Sequence, residues 1–213
     1  MLRYQKFLIS IVFLSIFAFT ISSYAEEEIE DLIYIAESKS KIIAIIEGSN
    51  KMSFSLRPKE KVLWRGSKGY LGALLTNHRF FVISTSSSDW QVLPLKGDES
   101  EKGMVSLSPH IALLVTGDRA ICYNAASNQF IETQLPIHDD LLAAKVREHV
   151  AVVITSSRAF GLASETSVFN EIHLRVRETI EAIKITSSRA TIHTSDRLLT
   201  FDAAGSTWTE HRF

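Results

Sequence analysis

TSDRLLTF, residues 194–201, returns in altered form as TSSRAFGL at 155–162 and as TGDRAICY at 116–123. Extended to twenty residues, the same register gives TNHRFFVISTSSSDWQVLPL from Thr76, TGDRAICYNAASNQFIETQL from Thr116, TSSRAFGLASETSVFNEIHL from Thr155 and TSDRLLTFDAAGSTWTEHRF from Thr194. The four align without a gap. Arg79, Arg119, Arg158 and Arg197 follow one another at intervals of 40, 39 and 39, and an aromatic stands eleven positions after each, at Trp90, Phe130, Phe169 and Trp208. A fifth, degenerate copy lies one period upstream of Arg79 in SKSKIIAIIEGSNKMSFSLR, with Ser38 for Thr, Lys41 for Arg and Met52 for the aromatic. A fixed period of this length marks a repeat architecture, and it governs how every other motif is read.

Each unit reads as strands. AVVIT from Ala151 and RAFGLA from Arg158 are short and apolar with only Ser156 and Ser157 between them, the spacing of a tight hairpin. SETS separates RAFGLA from VFNEIHL, and LLAAKV from Leu141 supplies a strand ahead of the pair. No segment holds a helical period over the length of a helix, so helix is a poor reading. Runs such as AVVI and ALLV are continuously apolar, as in a sheet covered on both faces.

Four antiparallel strands in every repeat of this length resemble a β-propeller blade. In unit length and number the chain resembles five-bladed propellers, with units near 26–57, 58–97, 98–137, 138–176 and 177–213. The Gly-His and Trp-Asp marks of WD repeats are missing. The resemblance implies an all-β fold of five four-stranded blades and no particular activity, because propellers host many functions. A five-unit β-solenoid is the lesser alternative. The innermost strand of the first blade would have to come from EEEIED, residues 26–31, a segment poor in strand formers. Either it pairs weakly, or an edge stays open that a second subunit could cover.

Residues 1–25 place Arg3 and Lys6 before an apolar run and end on Ser23 and Ala25, the pattern of a cleaved secretory signal; an uncleaved anchor is the lesser alternative. The expectation is an exported protein, periplasmic or secreted, with no membrane attachment after cleavage. The mature chain keeps 21 basic and 24 acidic side chains, a net charge of −3 that gives no footing for nucleic acid. Cys122 is the only cysteine, so packing must do what disulfides do in many exported domains.

If Thr and Arg flank a two-residue turn, the five basic residues Lys41, Arg79, Arg119, Arg158 and Arg197 form a circle on the end of the ring that carries the inter-blade connections. They would then either bind an anion or, the favoured reading, pair with Glu132, Glu171 and Glu210 thirteen positions further on; Phe54 and Val92 fill that position in the other two units. Lys145 and Lys184 take equivalent places on innermost strands, with Ser106 one unit earlier, and would either give the central channel a basic lining suited to an anionic ligand or, the favoured reading, be solvent-facing lysines near the pore mouth. The repeated aromatics are expected to pack blade on blade.

Catalytic patterns are sparse. The seven histidines show no ligand spacing, so no metal or other cofactor is expected. Asp139 and Asp140 read as a solvated turn before they read as hydrolase acids. The sequence therefore points to a non-enzymatic binding or scaffold module for a protein or glycan, anionic ligands included, acting through the connection end as a monomer or as a dimer through the first blade. A polysaccharide hydrolase with axial carboxylates and a structural subunit completed by a partner chain are the alternatives.

Overall fold

In the computed structural model, residues 29–48 and 51–213 are described; the signal-peptide reading of 1–25 and residues 26–28 of the proposed first strand lie outside them. Among the described residues, nineteen strands form five separate antiparallel sheets, each a simple meander. Blade 1 holds β1 (Ile33–Ser38), β2 (Lys41–Ile46) and β3 (Lys51–Ser55). Blade 2 holds β4 (Val62–Lys68), β5 (Leu71–Thr76), β6 (Arg79–Ser84) and β7 (Gln91–Pro94). Blade 3 holds β8 (Met104–Leu107), β9 (Ile111–Val115), β10 (Arg119–Asn124) and β11 (Gln129–Gln134). Blade 4 holds β12 (Leu141–Arg147), β13 (Val150–Thr155), β14 (Arg158–Ala163) and β15 (Asn170–His173). Blade 5 holds β16 (Ile180–Ile185), β17 (Arg189–Thr194), β18 (Arg197–Asp202) and β19 (Thr207–Arg212). The fold is a five-bladed β-propeller, as the repeat implied.

The sheets stack because apolar side chains leave both faces of the middle blades. Strands β5, β9, β10 and β13 are buried at every position. Four buried clusters fill the spaces between consecutive blades. Ile42, Phe54, Phe81 and Trp90 belong to the first; Phe80, Leu114 and Tyr123 to the second; Leu113, Phe160 and Phe169 to the third; and Ile154, Ile192, Phe201 and Trp208 to the fourth. The repeated aromatics thus pack between blades. Each fully buried Ile, Leu or Phe contributes about 1.5–3 kcal/mol relative to exposure. Gly161 belongs to this packing, because a Cβ there would stand 2.6 Å from the Phe201 ring of the next blade.

The first and fifth blades differ. Among the described residues, no buried cluster joins them, and each keeps one face outside the stack. In β2 the burial alternates, with Ile42, Ala44 and Ile46 inside and Ile45 48% exposed, while Tyr34 on β1 is 66% exposed. On blade 5 the corresponding face is polar, with Thr191, His193, Thr200 and an Arg189–Asp202 pair at 2.5 Å. A terminal repeat with a polar outer face is what a stacked array needs at its end. Blade 1 has three strands among the described residues. Residues 29–31 of the proposed innermost segment form no strand; they lie against the β4–β5 turn, where Asp31 accepts the Gly69 N–H at 2.7 Å.

Candidate functional site

The recurring Thr-x-x-Arg closes the hairpin between the second and third strands of a blade. The Thr side-chain oxygen accepts the Arg backbone N–H at 2.9 Å in Thr76–Arg79, 3.2 Å in Thr116–Arg119, 3.1 Å in Thr155–Arg158 and 3.1 Å in Thr194–Arg197. Such side-chain-to-backbone bonds stabilise tight turns. In blades 2, 4 and 5 the same Thr pairs in register with the first residue of the innermost strand, Val62, Leu141 or Ile180, followed by a bulge. The hairpin therefore sits beside the inter-blade connection.

That neighbourhood explains the arginines. Arg79 donates to both oxygens of Glu60, at 2.9 and 2.5 Å. Arg119 does the same to Glu99, at 2.6 and 2.8 Å, and also donates to Glu132 at 2.5 Å. Arg197 grips Glu178 at 2.9 and 3.0 Å, donates to Glu210, and reaches the His173 carbonyl at 2.7 Å. Arg119 and Arg197 are each 4% exposed. Burial by itself would raise the Glu60 carboxyl; the Arg79 guanidinium, the Arg57 N–H and the Thr76 hydroxyl outweigh it and hold the group at about 2. Glu178 is held at about 2 in the same way by Arg197, the Arg175 N–H and the Thr194 hydroxyl, against burial. Bidentate pairs of this kind are shape-specific as well as charged.

Blade 4 departs from the pattern. Asp139 stands where the other connections carry Glu and is one methylene shorter. It binds the hairpin itself, accepting from Thr155 at 2.6 Å and from Ser157 at 2.5 and 3.1 Å. Arg158 is left half-exposed, 3.2 Å from Glu171. Lys41 is exposed on β2, and its counterpart connection lies outside the described residues. The pairs with Glu132, Glu171 and Glu210 form as expected. Glu60, Glu99 and Glu178 were missed, although each precedes its Arg by about half of the same repeat. The circle of Arg79, Arg119 and Arg197 consequently presents no free guanidinium to an anion, because its charges lock each connection to its hairpin. The anion-ring reading of these three gives way to the architectural one.

Free positive charge is found elsewhere. Strands β4, β8, β12 and β16 approach one another in sequence and are the innermost of their blades. Three of them, β8, β12 and β16, line a groove of about 630 Å³ that contains Ser106, Lys145, Arg147 and Lys184. Lys145 and Lys184 thus lie where their spacing put them, and Arg147 joins them. All three cations are exposed, and the groove lining includes no carboxylate.

At the end opposite the connections, Tyr70, His110 and His149 each precede the second strand of a blade, at intervals of 40 and 39. Their rings form a ladder, with centroids 5.2 Å apart for Tyr70–His110 and 5.1 Å for His110–His149, beside a cavity of about 350 Å³. Ser164 hydrogen-bonds His149 at 2.9 Å. Burial, then the neighbouring His149, push the His110 imidazole below its ordinary value, while Glu148 and Glu165 oppose the shift. The period that revealed the arginines would have revealed this ladder too. Cys122 is buried between blades 3 and 4, and burial pushes its thiol well up, the condition of an inert packing residue. Among the described residues no three His, Cys, Asp or Glu side chains converge as a metal site would require.

No family model and no curated protein matches the chain. Among solved structures, it is similar to the N-terminal domain of Nup159, with a TM-score of 0.40 and 7% identity over 87% of this chain and 60% of that one. PorZ, an essential bacterial surface component of the type-IX secretion system of Porphyromonas gingivalis, gives 0.42 and 12% over 87% of this chain and 27% of that one. The Pan2 WD40 domain of Neurospora crassa gives 0.35 and 9%, over 86% and 63% respectively. The chain spans less than two thirds of each of these structures. At such scores neither activity nor partner carries over to it.

Proposed function

We propose that this protein is an exported, non-enzymatic binding module that holds an anionic protein or glycan against its axial groove. The carrying observation is the convergence of Lys145, Arg147 and Lys184 from neighbouring innermost strands around about 630 Å³ with no carboxylate in the lining. Cations on rigid strands keep their geometry when a ligand arrives, which limits the entropy lost on binding. A glycoside hydrolase would instead need two available carboxylates in one pocket. Glu60, Glu99 and Glu178 are committed to arginines, and Asp139 to hydroxyl and N–H donors. Export rests on the pattern of residues 1–25.

The test is titration of the protein lacking residues 1–25 with a carboxylated polysaccharide, a neutral one of equal length and an acidic protein. The wild type should bind an acidic ligand with a strong salt dependence. Lys145→Glu/Lys184→Glu should weaken that binding at least tenfold without moving the melting temperature. Equal binding by the charge-reversed variant, or preference for the neutral polymer, overturns the reading.

A further inference from the structure

We infer a second anion site, independent of the axial groove, at the junction of blades 1 and 2, built for a tetrahedral oxyanion such as a phosphate or sulfate group. The connection 56–61 and the β1–β2 turn border an open pocket of about 530 Å³ whose lining includes Lys39, Ser40, Arg57, Lys59 and Lys61. These four cations are exposed, and no ion pair holds any of them among the described residues. Two carboxylates also border the pocket, and both are committed. Glu60 is buried and bound by Arg79, Thr76 and the Arg57 N–H, while Glu37 pairs with Arg65 at 3.3 Å. The segment Arg-Pro-Lys-Glu-Lys thus turns its one acid inward and leaves its three cations in solvent.

Lys59 has φ of 66° and Lys39 has φ of 57°, a left-handed conformation that costs a side-chain-bearing residue and costs glycine nothing. The same turn recurs before blade 5, where Arg177 precedes Glu178 as Lys59 precedes Glu60 and has φ of 70°. Mutually repelling cations held on strained turns around a concave surface are the arrangement that a bound oxyanion relieves. The Arg57 guanidinium would take two oxygens, and the lysines would act as point charges around them.

The experiment follows melting of the protein lacking residues 1–25 at constant ionic strength while chloride is replaced by inorganic sulfate or phosphate at low millimolar concentration. A parallel arm uses dextran sulfate against uncharged dextran. The variants are Arg57→Gln/Lys61→Gln, Lys59→Gly and the groove variant Lys145→Glu/Lys184→Glu. The wild type and the groove variant should show a saturable rise in melting temperature, as a ligand that binds only the folded state produces. Arg57→Gln/Lys61→Gln should lose it. Lys59→Gly should raise the melting temperature in chloride and weaken the response. A rise with the free ions identifies a small-anion site; a rise with dextran sulfate alone identifies an ester group on a polymer; both support the proposal. A shift of equal size in wild type and Arg57→Gln/Lys61→Gln, rising linearly without saturation, is general salting-out and overturns it. Because the groove variant keeps its response only if the two sites are separate, failure of the groove reading leaves this result interpretable.

Discussion

Replacing Glu178 by Gln keeps the shape of the side chain and removes its charge from beneath a buried guanidinium. Glu178 accepts from Arg197 at 2.9 and 3.0 Å, from the Arg175 N–H at 2.6 Å and from Thr194 at 2.6 Å. Gln would retain one acceptor and turn an NH2 toward groups that only donate. Removing one partner of a buried pair costs about 3–5 kcal/mol, since the remaining charge is stranded. Linkage gives a similar size: lowering the carboxyl from 4.5 to about 2 corresponds to about 3 kcal/mol. Glu171→Gln is the internal control, because its pair with Arg158 is 3.2 Å long and exposed on both sides, worth below about 1 kcal/mol. Urea unfolding with a common slope reads both. Glu178→Gln should lose several kcal/mol, and the further change Arg197→Met should restore much of it by removing the stranded charge. A cost for Glu178→Gln within about 1 kcal/mol of that for Glu171→Gln would refute the assignment of these pairs as the locks between hairpin and connection.

Other outcomes follow from the same geometry. Glu60 and Glu178 both have lowered carboxyls, so their stabilisation is complete above the unfolded value near 4.5 and is lost as the pH falls toward 2; the urea midpoint should drop across that window, and less so in Glu178→Gln. The His110 imidazole is lowered as well, so its contribution is present above about pH 6.5 and fades as the pH falls through the folded value. His110→Gln should flatten the fall in stability below about pH 6.5. Gly161→Ala drives a methyl into Phe201 and should cost about 1–3 kcal/mol by thermal or urea unfolding, whereas Gly48→Ala meets no atom of the described residues within 4 Å and should cost little beyond its left-handed backbone strain. Intact mass of the protein recovered outside the cytoplasm should correspond to a chain beginning at Glu26.

The regular recurrence of Arg79, Arg119, Arg158 and Arg197, the tight hairpin spacing and the continuous apolar runs of β9 and β13 were enough to reach a propeller of five blades. Local physics writes these features directly into the chain: alternation and run length follow from which faces are buried, and Thr-x-x-Arg follows from closing a turn with a side-chain hydroxyl. Lys145 and Lys184 line one groove because equivalent positions of a repeat point the same way.

What the sequence reading did not supply was the second partner of the buried arginines, the glutamate of the inter-blade connection. Glu132 was legible from the repeat register, whereas the folded connection brings Glu99, twenty positions upstream, beneath Arg119. Coulomb energy depends on distance and burial in three dimensions, so the same arginine can be a ligand site in solvent or a lock in the interior. Tertiary structure decided which cations are tied into the framework and which, at the axial groove and the blade 1–2 junction, are left to meet something else.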